Sequence, residues 1–261
     1  QVQVGPVDTG TVTSGSLIAW GYNAAGQIGD GKGLGKTAFA AVDKSGVFAG
    51  KTITALAVGQ THSLALTSDG KVYAWGYGYY GQLGNGQSPT YQPTPVQVTA
   101  TGVLAGKTVT AIASGNTHSL ALTSDGRVFA WGGGSPNYGH LGNNTANNSV
   151  VPVAVDVSGA LNGKTVTQIS AFGEYSLALT SDGKVFGWGL NSSGQLGDNS
   201  TTNRSVPTAM DVTSGSSALS GKTVTGIAAG SSTSLMLTSD GKVFACGLGT
   251  SGQLGRGLLT N

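Results

Sequence analysis

Charge is scarce in this chain. Asp, Glu, Lys and Arg make up 9% of its 261 residues, against about a quarter in ordinary soluble domains. The net charge of +2 is small, and the lysines (Lys51, Lys71, Lys107, Lys164, Lys184, Lys222, Lys242) fall singly at repeated turns. No basic stripe tracks a phosphate backbone, so a nucleic-acid partner is not expected. Cys246 is the single cysteine, which excludes an internal disulfide framework. Three histidines (His62, His118, His140) and one cysteine do not make a zinc constellation, and no calcium loop is present. Glu174 is the only glutamate, and four of the ten aspartates sit in identical turns. A glycosidase needs two carboxylates facing one bond. Asp30, Asp43, Asp156, Asp198 and Asp211 remain as partners, and three of these fall at a periodic position. Neither a helical period nor a long apolar run occurs, so no membrane-spanning helix is expected. The reading is of a non-enzyme without cofactor or metal.

What the chain has is repetition. Trp-Gly begins at Trp20, Trp75, Trp131 and Trp188 and returns as Cys246-Gly247. The steps between copies run from 55 to 58 residues, the mark of a repeat architecture. Each unit holds Gly-Lys-Thr, an apolar stretch, Thr-Ser-Asp-Gly, Trp-Gly and then Gly-Gln-Leu-Gly or a variant. Asp-Gly between two short apolar runs predicts a hairpin, because glycine accepts the positive φ of such turns. A strand upstream (TITALAVG and its copies) and a Pro-bearing strand downstream (TPVQVT, VPVAVDV, VPTAMDV) bring the total to four antiparallel strands. Four strands per unit, repeated radially, predict an all-β propeller of about five blades forming one domain, residues 1–261. The units run 1–49, 50–105, 106–162, 163–220 and 221–261. Large Leu64 and Leu66, Leu120 and Leu122, and Leu177 and Leu179 flank small Ala65, Ala121 and Ala178, which suits an apolar layer between stacked blades.

These residues resemble the repeat family named after the regulator of chromosome condensation. Gly59 through Gly84 carries nearly every mark of its consensus, as does Gly115 through Gly142 with His140 in place of Gln. The resemblance implies a propeller, usually of seven blades, and a structural role for His62 and His118 in tying neighbouring loops together. The recurring Trp20, Trp75, Trp131 and Trp188 belong to the same scaffold. Five units depart from seven. Unit five stops before its fourth strand, and Val2-Gln3-Val4 reads like Val96-Gln97-Val98. Closure of the ring by the N-terminal strand is therefore expected, the alternative being part of a larger propeller.

The Gly-Lys-Thr copies do not form a P-loop, since the spacing from the preceding Gly is wrong and a strand follows. Cys246 stands where other units have Trp and is read as a core residue with looser packing around it. The loops that differ between units are the better guide to function. Unit two places Tyr77, Tyr79, Tyr80 and Tyr91 close together, and unit three adds Tyr138; tyrosine suits sugar or protein surfaces. Asn143, Asn147, Asn191, Asn199 and Asn203 begin N-x-S/T sequons. The chain begins at Gln1, as a processed secreted protein or an excised fragment would. The resulting expectation is an extracellular or cell-surface interaction module, adhesive, lectin-like or self-assembling, with a protein or glycan partner. The family resemblance implies an alternative, a protein-binding regulator such as a GTPase nucleotide-exchange factor or a protein inhibitor.

Overall fold

The structure is a computed structural model that describes residues 17–43, 46–88, 91–211 and 218–255. Within these residues the chain is all β, apart from one 3-10 turn at Gly102–Leu104. Unit two forms a meander of β3 (Ile53–Val58), β4 (His62–Thr67), β5 (Val72–Tyr77) and β6 (Tyr91–Gln97). Units three and four repeat it as β7 (Val109–Ser114) to β10 (Ser149–Ala154) and β11 (Val166–Phe172) to β14 (Arg204–Ala209). Unit five has three strands, β15 (Val224–Ala229), β16 (Thr233–Thr238) and β17 (Val243–Gly247). Unit one has two, β1 (Ile18–Gly21) and β2 (Lys36–Ala41). All pairs are antiparallel, so the blade of the expected propeller is present. The candidate closing strand at Val2–Val4 lies outside the described residues.

Each Thr-Ser-Asp-Gly is a three-residue hairpin loop ending on a left-handed glycine. At the first, Gly70 has φ +73, and the Thr67 N–H donates to Lys71 O at 3.0 Å. The Thr67 hydroxyl then donates to Asp69 Oδ1 and to Lys71 O. The preceding Gly-Lys-Thr supplies the cation: Lys51, Lys107, Lys164 and Lys222 bind Asp69, Asp125, Asp182 and Asp240. These lysines hold the carboxyls of Asp69, Asp125 and Asp182 down at about 2. The pairs are half exposed and contribute modestly to stability.

The core lies between blades. Leu64 and Leu66 pack with Ala121 and Trp131 of the next unit. Leu120 and Leu122 pack with Ala178 and Trp188. The large-small alternation along each second strand thus fits one blade onto the next. Trp75, Trp131 and Trp188 are buried, whereas Trp20 is 61% exposed and rests against Phe39. Unit one presents no preceding blade to Trp20 among the described residues, so this one tryptophan differs from its repeat partners. At the other end Leu235 and Leu237 are 40% and 44% exposed, where Leu177 and Leu179 are covered by unit five.

Candidate interaction face

The register places two kinds of loop at the same end of each blade. His62 pairs with Gly76 and Tyr175 with Gly189, so the turn before the second strand meets the loop after the third. The Ser-Asp-Gly hairpin loops lie at the opposite end.

At this loop end the structure brings four of the five expected tyrosines together. Tyr77 is the hub. Its ring lies 6.1 Å from Tyr79 in a stacked pair, and 6.2 Å from Tyr80 and 5.4 Å from Tyr91 edge-on. Tyr79 and Tyr80 also meet edge-on at 5.3 Å. Tyr79 and Tyr91 remain more than half exposed. Burial and the neighbouring rings push the Tyr77 phenol upward. The loop from Gly76 to Pro95 has no ionisable side chain other than tyrosine. Tyr138 is not part of this group and packs instead on His140 in unit three, 5.7 Å away.

Beneath the loops, a side chain at one repeated position reaches into the next unit. His62 Nε2 lies 2.8 Å from both Ser114 Oγ and Ser119 Oγ. His118 Nε2 is 2.9 Å from Ser176 Oγ. Unit four does the same with tyrosine: Tyr175 donates to Thr233 O at 2.7 Å and accepts from Ser234 Oγ. A second tie runs back the other way. Trp75, Trp131 and Trp188 donate from Nε1 to the main-chain oxygens of Gln27, Gln82 and His140, at 2.9 to 3.0 Å. The Gly-Gln-Leu-Gly turn is therefore a buried receptor for the next blade rather than an exposed loop. Its glutamine side chains cap main-chain N–H groups, as Gln82 does at Tyr80 and Gln195 at Ser193.

Burial depresses the pKa of His62 to about 3 and lowers that of His118. Both are neutral when folded, while in the unfolded chain each takes up a proton near 6.5. The folded state binds fewer protons, so this contribution is full above pH 6.5 and falls as pH drops toward 3. The slope is about 1.4 kcal/mol per pH unit for each histidine. The lysine-paired aspartates lose their contribution lower, between about pH 4 and pH 2. Urea unfolding at pH 7, 6, 5 and 4 is expected to show this slope, and His62→Gln is expected to remove about half of it between pH 6 and 4. An unchanged slope in that variant contradicts the assignment.

The junction of units three and four holds a feature the repeat does not announce. His140 is fully buried and stacks on His118 at 5.4 Å. Its Nδ1 faces Asn137 Oδ1 at 3.0 Å. Its Nε2 lies 2.8 Å from Glu174 Oε2, in ion-pair range but off the hydrogen-bond direction of the ring. Thr117 Oγ1 donates to the same carboxylate oxygen. The signal for it was the pair of departures: His where other turns have Gln, and the only Glu of the chain. Elsewhere, Asp30 is held by Asn23 and Lys36, and Asp198 by Asn191 and Arg204. Asp156 is held by Ser158. These contacts are to cations, amides and hydroxyls rather than to a second carboxylate. Among the described residues no group of three His, Cys, Asp or Glu is placed to hold a metal. Of the sequons, Asn147, Asn199 and Asn203 are exposed, but Asn191 is buried with its amide donating to Asp198, Ser200 and Thr202. The folded chain does not offer Asn191 for glycosylation.

Blades of this form, latched by indoles and histidines with their variable loops gathered at one end, define a repeat β-propeller. The chain belongs to the RCC1-like domain family, whose model matches residues 1–261. It is 34% identical over 244 residues to the Arabidopsis thaliana ultraviolet-B receptor UVR8, covering 93% of this chain and 51% of that one. Among solved structures it is similar to human WBSCR16, with a TM-score of 0.79, 28% identity and coverage of 95% of this chain and 61% of that one. It is also similar to yeast RCC1 (Prp20) bound by Kap60, with a TM-score of 0.74, 25% identity and coverage of 92% and 54%. The chain spans about half the length of UVR8.

Proposed function

We propose that this chain is a non-catalytic protein-binding module that presses its loop end onto a partner protein. The observation that carries the proposal is the tyrosine cluster of unit two. Four rings meet in a charge-free loop, and two of them are more than half exposed. Tyrosine gives a rigid amphipathic contact at small entropic cost and is enriched at interface centres. The relatives support a regulator-type reading over the adhesive or lectin-like one, since one is a receptor and another was solved with a protein bound. An extracellular setting rests only on composition and the exposed sequons. Tyr138 and Glu174 lie at the same end, over the buried His140, and extend the proposed surface.

The test is affinity capture with the purified chain, wild type against Tyr79→Ala/Tyr91→Ala. Specific partners are expected to be lost from the variant while its thermal midpoint stays within about 2 °C, as for exposed positions. An exchange-factor role is the narrower version. Accelerated nucleotide release from a panel of small GTPases supports it, and unchanged release removes it.

A further inference from the structure

Asn-Gly occurs twice in the chain, at Asn85-Gly86 and Asn162-Gly163, and Asp-Gly occurs at Asp30, Asp69, Asp125, Asp182 and Asp240. In these dipeptides the side-chain carbonyl carbon is open to attack by the next main-chain nitrogen, because glycine puts no Cβ in the way. The attack needs a main-chain N–H that is not engaged elsewhere. Most of the sites fail that requirement in the folded chain. Gly31 N donates to Pro93 O, Gly86 N to Val150 O, and Gly70, Gly126, Gly183 and Gly241 N to Thr67, Thr123, Thr180 and Thr238 O, all at 2.9 Å. The five aspartates are also bound to lysines, and an ionised carboxylate resists a nucleophile. Asn85 is tied down by its Oδ1, which accepts from Gln87 N.

Asn162-Gly163 is the exception. It lies in the turn of residues 161–164 that leads into β11, closed by Lys164 N donating to Leu161 O at 3.0 Å. Both residues are exposed. Among the described residues neither the Gly163 N–H nor the Asn162 side chain makes a hydrogen bond, and a Cβ on Gly163 would meet nothing within 4 Å. The other copies of this turn carry Ala49, Ala105 and Ser220 at the same place, so its shape does not require asparagine.

We infer that Asn162 is a site of spontaneous modification, deamidating through a cyclic imide to aspartate and isoaspartate, while the fold protects Asn85. The Gly163 nitrogen bonds to the Asn162 side-chain carbonyl carbon and gives up its proton. The bond from that carbon to the side-chain nitrogen breaks, and ammonia leaves. Water then opens the five-membered imide, giving aspartate by attack at the side-chain carbonyl and isoaspartate by attack at the main-chain carbonyl. Either product sets a new carboxylate beside Lys164. Isoaspartate also routes the main chain through the side-chain methylene, lengthening a turn anchored by the buried Leu161. The isoaspartyl carboxylate is the group that protein isoaspartyl methyltransferases esterify, so the modified chain becomes a substrate for that class of enzyme.

The test is incubation of the folded chain at mildly alkaline pH, with peptide mapping of both Asn-Gly sites over time. Two hydrogen bonds must open at Asn85-Gly86 and none at Asn162-Gly163, so Asn162 is expected to convert roughly thirty-fold faster. In urea, where those bonds are lost, the two rates are expected to converge. Aged wild-type chain is expected to accept methyl groups from S-adenosylmethionine in the presence of an isoaspartyl methyltransferase. Aged Asn162→Ala, which carries the residue found at Ala49 and Ala105, is expected to lose most of that acceptance. Equal rates at the two sites in the folded chain, a rate ratio that urea leaves unchanged, or undiminished methyl acceptance by the variant overturns the inference.

Discussion

Trp188→Ala is expected to lower the unfolding free energy by about 3 to 5 kcal/mol and the thermal midpoint by roughly 6 to 20 °C. The indole is fully buried, and it packs with Leu120, Leu141 and Phe186 in the cluster that joins units three and four. Three losses coincide in the variant. The ring's apolar surface is no longer buried, the space over Gly142 stays empty because a glycine floor cannot rise to fill it, and His140 O loses the Nε1 donor. Trp20→Ala is the internal control. It alters the same residue of the repeat, but at a site 61% exposed, and a change within about 0.5 kcal/mol is expected. Calorimetry on the two variants compares them directly. Equal destabilisation means that the indoles do not act through the blade junctions.

Gly132→Ala is expected to cost about 3 kcal/mol or more and to reduce the yield of soluble protein. Two costs add. Gly132 has φ +92, where an L side chain is strained. A Cβ there would also meet Thr117 O at 2.4 Å and His118 Cα at 2.9 Å, and both are backbone atoms that cannot step aside. The same approach recurs at Gly76, Gly189 and Gly247. At Gly21 nothing lies within 4 Å, so Gly21→Ala bears the φ cost alone. Paired denaturation curves are expected to show the larger loss for Gly132→Ala. Equal losses mean that the close approach is not what requires glycine in Trp-Gly.

These cases show why the scaffold was legible in the sequence. The Trp-Gly dipeptide repeats because the indoles of units two to four need a floor and a carbonyl in the preceding unit, and the glycines of units two to five pass a neighbouring backbone too closely for a side chain. A requirement imposed at every junction is written at every junction. Thr-Ser-Asp-Gly is equally readable, since the same left-handed glycine and lysine-bound aspartate recur in units two to five. The His140–Glu174 contact was not readable in this way. It occurs once and joins side chains from two units, His140 in the turn of unit three and Glu174 in the turn between β11 and β12. The tyrosines show the limit from the other side. Sequence proximity grouped Tyr77, Tyr79, Tyr80 and Tyr91 correctly, because one loop and the strand that follows it carry all four. Tyr138 lay outside the group, since its own unit turns it onto His140. Trp20 had the same sequence signature as its counterparts, yet its burial depends on a neighbour rather than on its own unit.

Placing the partner surface at the loop end is the central claim, and titration of a captured partner against three forms of the chain tests it most directly. The forms are the wild type, Tyr79→Ala/Tyr91→Ala, and Ser124→Ala, which alters a hairpin loop at the opposite end. The account expects the tyrosine variant to weaken binding by at least ten-fold, as for loss of interface anchors worth more than 1.4 kcal/mol together, with Ser124→Ala unchanged. Wild-type affinity in the tyrosine variant, with both variants folded, contradicts it.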